Sequence, residues 1–314
     1  MKLQLHSLTL AATFGAFLST SALAQDAVVP TDFATIQAAV QGASDANGDG
    51  TIHIFVQSGT YAESVLVQRS GIRLEGEGAA TTLIQGQPLR RAVNVQAVTD
   101  FELSGFSITG EVLRDGVEVT GCTNVSIHDN RVFGVQDGIS VNRTSNAQVF
   151  ANEAFDNTSS GIKLKGGSAN SITGNNCHDN RSSGVDLDNT TDCLVADNLG
   201  TANFSNGVRV RRATAITVVD NVCQGNFDNG IFLRQVNNVV VATNNCTGNL
   251  QSGLRIRDVN NTLFDANTLT GNGEWGIRMR DSFNNDWDGS QAGNQSAPGN
   301  NVVTGNTLGA VHID

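Results

Sequence analysis

Eight glycines recur down the chain at almost fixed spacing: Gly116, Gly138, Gly161, Gly184, Gly207, Gly230, Gly253 and Gly276. The first step is 22 residues and every later step is 23. Each glycine opens the same phrase, in which apolar and variable residues alternate. Examples are Gly161-Ile162-Lys163-Leu164-Lys165 and Gly184-Val185-Asp186-Leu187-Asp188. A constant period of this size marks a repeat architecture, in which each unit stacks on its neighbours. Alternation with a period of two means strands rather than helices. One strand follows the glycine. A second surrounds the apolar residue eleven positions on (Ile127, Val149, Ile172, Val195, Val218, Val241, Phe264), and a third lies near position sixteen. Three short strands and three turns in 23 residues make one coil of a parallel β-helix, an all-β solenoid.

Asparagine keeps the same register. Position fourteen holds Asn130, Asn152, Asn175, Asn198, Asn221, Asn244 and Asn267, and position nineteen holds Asn157, Asn180, Asn203, Asn226, Asn249 and Asn272. Asparagine tolerates left-handed turn geometry, and its amide can bond the same amide one coil away. Two structural ladders are therefore expected. Cys177, Cys223 and Cys246 share another position, sixteen residues after their glycines. That position reads as interior. The stacking of Cys223 on Cys246 would suit either two small core residues or a disulfide.

The ends of the chain differ from its middle. Lys2, the apolar run from Leu8 to Leu18 and Ala22-Leu23-Ala24 form a secretory signal pattern, with cleavage expected after Ala24. Residues 25–314 are then one β-helix domain, secreted or periplasmic. No later segment is long and apolar enough to span a bilayer. Gly71-Ile72-Arg73-Leu74 and Ala92-Val93-Asn94-Val95 read as earlier copies of the first strand. Asp32 to Val40 reads as a short amphipathic helix with Asp32 as N-cap, covering the open end of the solenoid. Asn285 to Gly299 reads as a polar loop carrying Trp287, and Ala310 to Asp314 as a last copy of the first strand.

The opening of the domain is more specific. Asp32 to Gly42, then Ile54-Phe55-Val56-Gln57-Ser58-Gly59-Thr60-Tyr61-Ala62-Glu63, then Gly71-Ile72-Arg73-Leu74-Glu75-Gly76-Glu77-Gly78 resembles the start of pectin-lyase-like proteins. The repeats that follow resemble the parallel β-helix repeats of that superfamily, including its NosD-like members. The resemblance implies a right-handed, single-stranded parallel β-helix. It leaves the reaction open, since this fold hosts lyases, hydrolases, esterases, epimerases and non-catalytic proteins. No polygalacturonase, pectinesterase or mannuronan-epimerase signature is present.

Function is sought on the columns that face outward. Two and four residues after each glycine lie Glu118/Thr120, Ser140/Asn142, Lys163/Lys165, Asp186/Asp188, Arg209/Arg211, Phe232/Arg234, Arg255/Arg257 and Arg278/Arg280. Nine of the 19 basic residues fall on this stripe, in a chain of net charge −11. The overall acidity argues against a nucleic-acid partner. Stacked arginines on neighbouring strands repel one another, so a merely solvated face would not gather them. Phe232, Arg234, Arg255, Arg257, Arg278 and Arg280 are therefore candidates to bind an acidic polysaccharide. The block Lys163, Lys165, Asp186, Asp188, Arg209 and Arg211 is read either as cross-strand ion pairs or as catalytic residues. Uronate β-elimination needs cations to neutralise the carboxylate and a base, which a crowded lysine of lowered pKa would supply. Asp186 and Asp188 lie about 6.5 Å apart on one strand, which also permits a hydrolase. His128 and His178 lie off the stripe and read as turn residues.

Asp45-Ala46-Asn47-Gly48-Asp49-Gly50 matches the first half of a calcium loop, so Ca²⁺ held by Asp45, Asn47 and Asp49 is an expectation of that motif. Val56 stands where the twelfth-position acid belongs. Three functions remain open: an enzyme cleaving an acidic polysaccharide, with a lyase foremost and epimerisation possible; a non-catalytic envelope, carbohydrate-binding or NosD-like periplasmic protein; and a hydrolase using Asp186 and Asp188.

Overall fold

The computed structural model describes residues 25–287 and 298–313. They form a right-handed parallel β-solenoid of about 11 turns with one short helix. The expected signal segment lies outside the described residues. Strands stack in three columns. The third strands make an 11-stranded sheet running from Gly59–Tyr61 to Val302–Thr304. First and second strands merge into one 22-stranded sheet. Strands such as Ile231–Asn237 and Leu254–Asn260 run unbroken from one column into the other. Inward residues of successive first strands pair in register, so Val185, Val208, Ile231 and Leu254 form one column, each no more than 1 % exposed.

The register glycines are required by close approach. A Cβ on Gly161 would stand 2.8 Å from the carbonyl oxygen of Gly184 and 3.0 Å from Asn180 Nδ2. Gly184 meets Gly207 and Asn203 at the same two distances. Both asparagine ladders form. Each position-fourteen Nδ2–H donates to the next Oδ1, as from Asn175 to Asn198 and from Asn198 to Asn221, both at 3.0 Å. The second ladder runs from Asn157 through Asn180 and Asn203 in the same way. The left-handed residue is the one before each asparagine, not the asparagine. Asp197 and Asp220 have φ of 56° and 55°. The preceding residue makes the corner, which leaves the asparagine amide free to point along the solenoid axis.

The cap is a helix over Ile36–Gly42, with Ile36, Ala39 and Val40 buried in the core. Its N-cap is Thr35, whose Oγ1 accepts from Ala38 N at 3.1 Å. Glu63, distant in sequence, accepts from Ile36 N and Gln37 N at 2.9 Å each. That places a carboxylate at the positive end of the helix. Asp32 instead closes the preceding turn by accepting from Val28 N at 2.8 Å.

Three further expectations are corrected. Ile72–Gly76 belongs to the second column, because Ile72 pairs with Phe101 and Leu74 with Leu103. The first-strand copy in that coil is Val65–Val67, paired with Val93–Gln96. Trp287 is fully buried and stacks on Phe264 at 4.5 Å, so it is core rather than loop. Of the two readings for the stacked cysteines, the core one holds: Cys223 and Cys246 are register partners, and all five cysteines are buried free thiols. His128 and His178 end strands rather than occupy turns, stacked on Phe150 and Phe155. The closing strand, Gly309–Ile313, pairs in parallel with Trp275–Arg280 as expected.

Candidate functional site

The first-strand sheet places the outward columns side by side. Lys163 is the register partner of Asp186, Asp186 of Arg209, Arg209 of Phe232, Phe232 of Arg255 and Arg255 of Arg278. The companion column runs Lys165, Asp188, Arg211, Arg234, Arg257 and Arg280. Each coil then turns through a left-handed residue: Arg143, Gly166, Asn189, Arg212, Gln235, Asp258 or Asp281. This corner turns the chain from the first column into the second and sets the width of the face. Along its length the face has three zones.

The middle zone is neutralised. Asp186 is fully buried and held by the Arg209 fork, Nε to Oδ1 at 2.9 Å and Nη2 to Oδ2 at 2.6 Å. Burial pulls the Arg209 guanidinium down, but Asp186 more than offsets this and its pKa ends above the ordinary value. Arg211 Nη2 lies 3.5 Å from Asp188 Oδ2, and the corner residue Arg212 also binds Asp188. Both carboxylates thus lie against arginines, with Asp188 Oδ1 left without a hydrogen-bond partner among the described residues.

Lys163 departs from expectation. Its Nζ turns away from Asp186 and pairs with Asp137 Oδ2 at 2.9 Å. Burial lowers its pKa, yet Asp137, supported by Asp186 and Asp115, outweighs burial and raises it. It therefore keeps its proton, contrary to the role of base. Lys165 is exposed and makes no ion pair among the described residues.

The C-terminal zone is basic. Arg255 lies over the Phe232 ring at 5.8 Å and donates to Gln251 Oε1 at 3.1 Å. Arg257 Nε is 3.6 Å from Asp258, Arg278 Nη1 3.5 Å from Glu274, and Arg280 Nε 3.1 Å from Asp281. Arg234 has no ion-pair partner among the described residues. In the companion column, the Nε–H groups of Arg211, Arg234 and Arg257 are buried without an acceptor in three consecutive coils. Phe204 and Phe227 stack at 4.6 Å on the turn beside this zone, both exposed.

The N-terminal zone is a groove of about 750 Å³, whose lining includes Arg91, Asp115, Glu118, Asp137, Lys163 and Lys165. Asp137 is 2 % exposed and accepts from Ser160 N at 2.9 Å as well as from Lys163. Asp115 Oδ1 accepts from Asp137 N at 3.2 Å. Burial, with the Asp137 charge beside it, pushes the Asp115 carboxyl up to about 6. Arg91 Nε makes a 2.5 Å ion contact with Glu118 Oε2, although its N–H is not aligned for a hydrogen bond. The sequence analysis missed Asp115 and Asp137, having followed only outward strand positions. The signal was the residue before each register glycine. It is Asp in these two coils, Ser160, Ser183, Asn206, Asn229 or Ser252 in the next five, and Trp275 in the last.

The loop at Asp45 uses its own acceptors. Asp45 accepts from the backbone N–H groups of Gly48 and Gly50 at 2.6 and 2.8 Å, and Asp49 from Thr51 at 2.8 Å. Asn47 accepts from Asp49 N at 2.8 Å. Among the described residues no three His, Cys, Asp or Glu side chains converge as metal ligands. No helix among them is long and apolar enough to cross a membrane.

Comparison with known proteins agrees with this architecture. The family model for a right handed beta helix region matches residues 91–233, and that for the periplasmic copper-binding protein NosD matches residues 167–309. The chain is a right-handed parallel β-helix protein of the pectin-lyase-like fold. It is similar to the A-module of the Azotobacter vinelandii mannuronan C-5 epimerase AlgE4. That match has a TM-score of 0.68 and 16% identity over 89% of this chain and 92% of the other. DFA-IIIase from Arthrobacter chlorophenolicus A6, without its lid, matches with a TM-score of 0.60 and 16% identity over 88% and 85%. The Dettilon tailspike protein matches with a TM-score of 0.61 and 15% identity over 83% and 62%. No curated protein matches the chain in sequence.

Proposed function

We propose that this is a carbohydrate-active protein of the periplasm or cell exterior that binds an acidic polysaccharide along its first-strand face. The observation that carries the reading is the run of arginines in register on the outward face, Arg234, Arg257 and Arg280 in one column and Arg255 and Arg278 in the other. Coils rise by about 4.8 Å, a step comparable with successive sugars of a uronate polymer. Guanidinium forks match carboxylate geometry. Phe232 supplies an apolar surface beside them. The names of similar solved structures, an epimerase acting on mannuronan among them, support a saccharide ligand.

Cleavage by β-elimination has less support. Its expected base, Lys163, is held protonated by Asp137, which leaves Lys165 as the accessible amine of that block. The copper of the NosD description is not carried over, because no set of ligands converges for it among the described residues.

Binding should be tested with polygalacturonate, alginate and neutral dextran. Arg234→Glu with Arg257→Glu should weaken binding to the two polyuronates at least tenfold and leave dextran unaffected. Affinity should fall as salt rises, because exposed charge contacts are screened over about 8–10 Å at ordinary ionic strength. Equal binding to dextran, or no effect of the double reversal, would remove the polyanion reading.

A further inference from the structure

The basic zone is bordered on one side by an apolar ridge that charge recognition does not require. Phe204, Phe227 and Leu250 stand on the turn between the third strand of one coil and the first strand of the next, and are 57 %, 48 % and 63 % exposed. Each follows a rung of the second asparagine ladder, Asn203, Asn226 or Asn249. Each backbone N–H donates to the asparagine carbonyl one coil back, at 2.8, 2.9 and 2.9 Å. The ladder thus fixes three exposed apolar side chains one above another. The Phe204 and Phe227 rings are 3° from parallel with centroids 4.6 Å apart, so they cover each other and turn their edges outward. Exposed Arg181 continues the column on one side and Gly273 on the other, so the apolar run lasts three coils. The ridge joins the arginine face directly. Gln251, next to Leu250, accepts from Arg255 Nη1 at 3.1 Å, and Arg255 lies over the Phe232 ring. The strand column nearer the turn therefore carries Phe232, five residues after Phe227, while the farther one carries Arg234, Arg257 and Arg280. The same coils are apolar along one edge and cationic along the other.

We propose that the acidic polysaccharide bound on this face is O-acylated, with its acyl groups seated on Phe204, Phe227 and Leu250 while Arg234, Arg257 and Arg280 take its carboxylates. The inference rests on the polyanion reading above and narrows its ligand class. Chemistry selects the substituent. An unsubstituted uronate polymer offers only hydroxyls and carboxylates and leaves the ridge in water, where a contiguous apolar patch marks an interaction site. A methyl ester would supply an apolar group but remove the carboxylate that a guanidinium fork recognises. An acetyl group on a sugar hydroxyl adds apolar surface and keeps the charge. Other occupants fit less well. Three side chains fall far short of the roughly 20–30 residues a side that a stable protein interface uses. A bilayer would meet the whole flank, where the charged Arg181 stands in the same column. Full burial of one methyl group corresponds to about fourfold in affinity, so two or three acetyl groups on an open ridge should together give about tenfold.

The test is equilibrium binding of alginate and polygalacturonate, each chemically O-acetylated and each as its unsubstituted parent, to the protein and to variants whose fold is checked by circular dichroism. The unaltered protein should bind the acetylated form of at least one polymer about tenfold more tightly than the parent. Combining Phe204→Ser, Phe227→Ser and Leu250→Ser should bring the two forms to equal affinity. Arg234→Glu with Arg257→Glu should weaken both forms and preserve their ratio. Equal binding of the two forms by the unaltered protein, or a preference that survives the triple variant, would overturn the acyl inference and leave the polyanion reading standing. Binding of neither form would remove both. Sedimentation with phosphatidylglycerol vesicles and light scattering complete the comparison. A ridge-dependent vesicle contact or dimer, without an acyl preference, would overturn the proposal in favour of that occupant.

Discussion

Replacing Asn198 by alanine tests whether the asparagine ladder holds the coils together. Its side chain makes four buried hydrogen bonds. Nδ2 donates to Ile172 O at 2.9 Å and to Asn221 Oδ1 at 3.0 Å, and Oδ1 accepts from Asn175 N and Asn175 Nδ2, both at 3.0 Å. The losses are unequal. Asn175 Nδ2 keeps Val149 O and Thr173 O, and Asn221 Oδ1 keeps the Asn198 backbone N–H. Asn175 N–H loses its acceptor inside the core. One orphaned buried donor costs about 1–3 kcal/mol and each of the three remaining lost bonds a net of about 1 kcal/mol, so the substitution should destabilise by about 4–6 kcal/mol. Urea denaturation followed by circular dichroism gives the total, and hydrogen exchange at the Asn175 amide localises it. An unchanged midpoint together with a still-protected Asn175 amide would refute the ladder as a source of stability.

Three other outcomes are expected. Asp186→Asn should cost about 3–5 kcal/mol in urea denaturation by leaving Arg209 half-buried without its counter-charge; Asp186→Leu with Arg209→Met should recover most of that loss, and an equally unstable double variant would show the two are uncoupled. Asp115 titrates at about 6 when folded against 3.8 when unfolded, a raised carboxyl, so its contribution is fully present below pH 3.8 and is lost as pH rises through 6. Asp115→Asn should therefore stabilise the fold by about 1–3 kcal/mol at pH 7 and not at pH 3.5; a pH-independent effect in denaturation curves would contradict this. Burial pushes the Cys177 thiol up to about 12 and, with Cys223 beside it, raises Cys246 as well. Maleimide should thus label none of the five cysteines until the chain unfolds, and rapid labelling of folded protein would count against a closed core.

The repeat made the columns legible, and the errors came where two positions look alike locally. Ile72 and Leu74 alternate as a first strand does, but the same alternation serves a second strand, and only the corners distinguish them. Asp32 and Thr35 are both good N-caps. The choice fell to Thr35, and Glu63, a residue no local pattern could supply, completes the helix end. Along the stripe, which residues share a face followed from the period, as the pairing of Asp186 with Arg209 illustrates. Which carboxylate Lys163 chooses did not follow. Its partner, Asp137, sits at a corner outside the alternating strand positions, and reaching it takes a side-chain direction that spacing does not encode. Asp115 escaped for the same reason. Its distinctive property arises from Asp137 one coil away rather than from its own neighbours in sequence.

The asparagine ladder has a further consequence at the far end. Its rungs are 23 residues apart from Asn152 to Asn267, yet the next step, from Asn267 to Asn301, takes 34 and still makes the contact, at 2.8 Å against 3.0 and 2.9 Å in earlier rungs. The second ladder makes the same longer step from Asn272 to Asn306 at 2.9 Å. What the fold counts is therefore the rise between rungs and not the length of chain that connects them. The extra residues enter between the second and third strands. A foreign peptide spliced into that corner of an inner coil should leave the solenoid standing, which makes the corner a natural place to graft a lid, a tag or a new recognition loop.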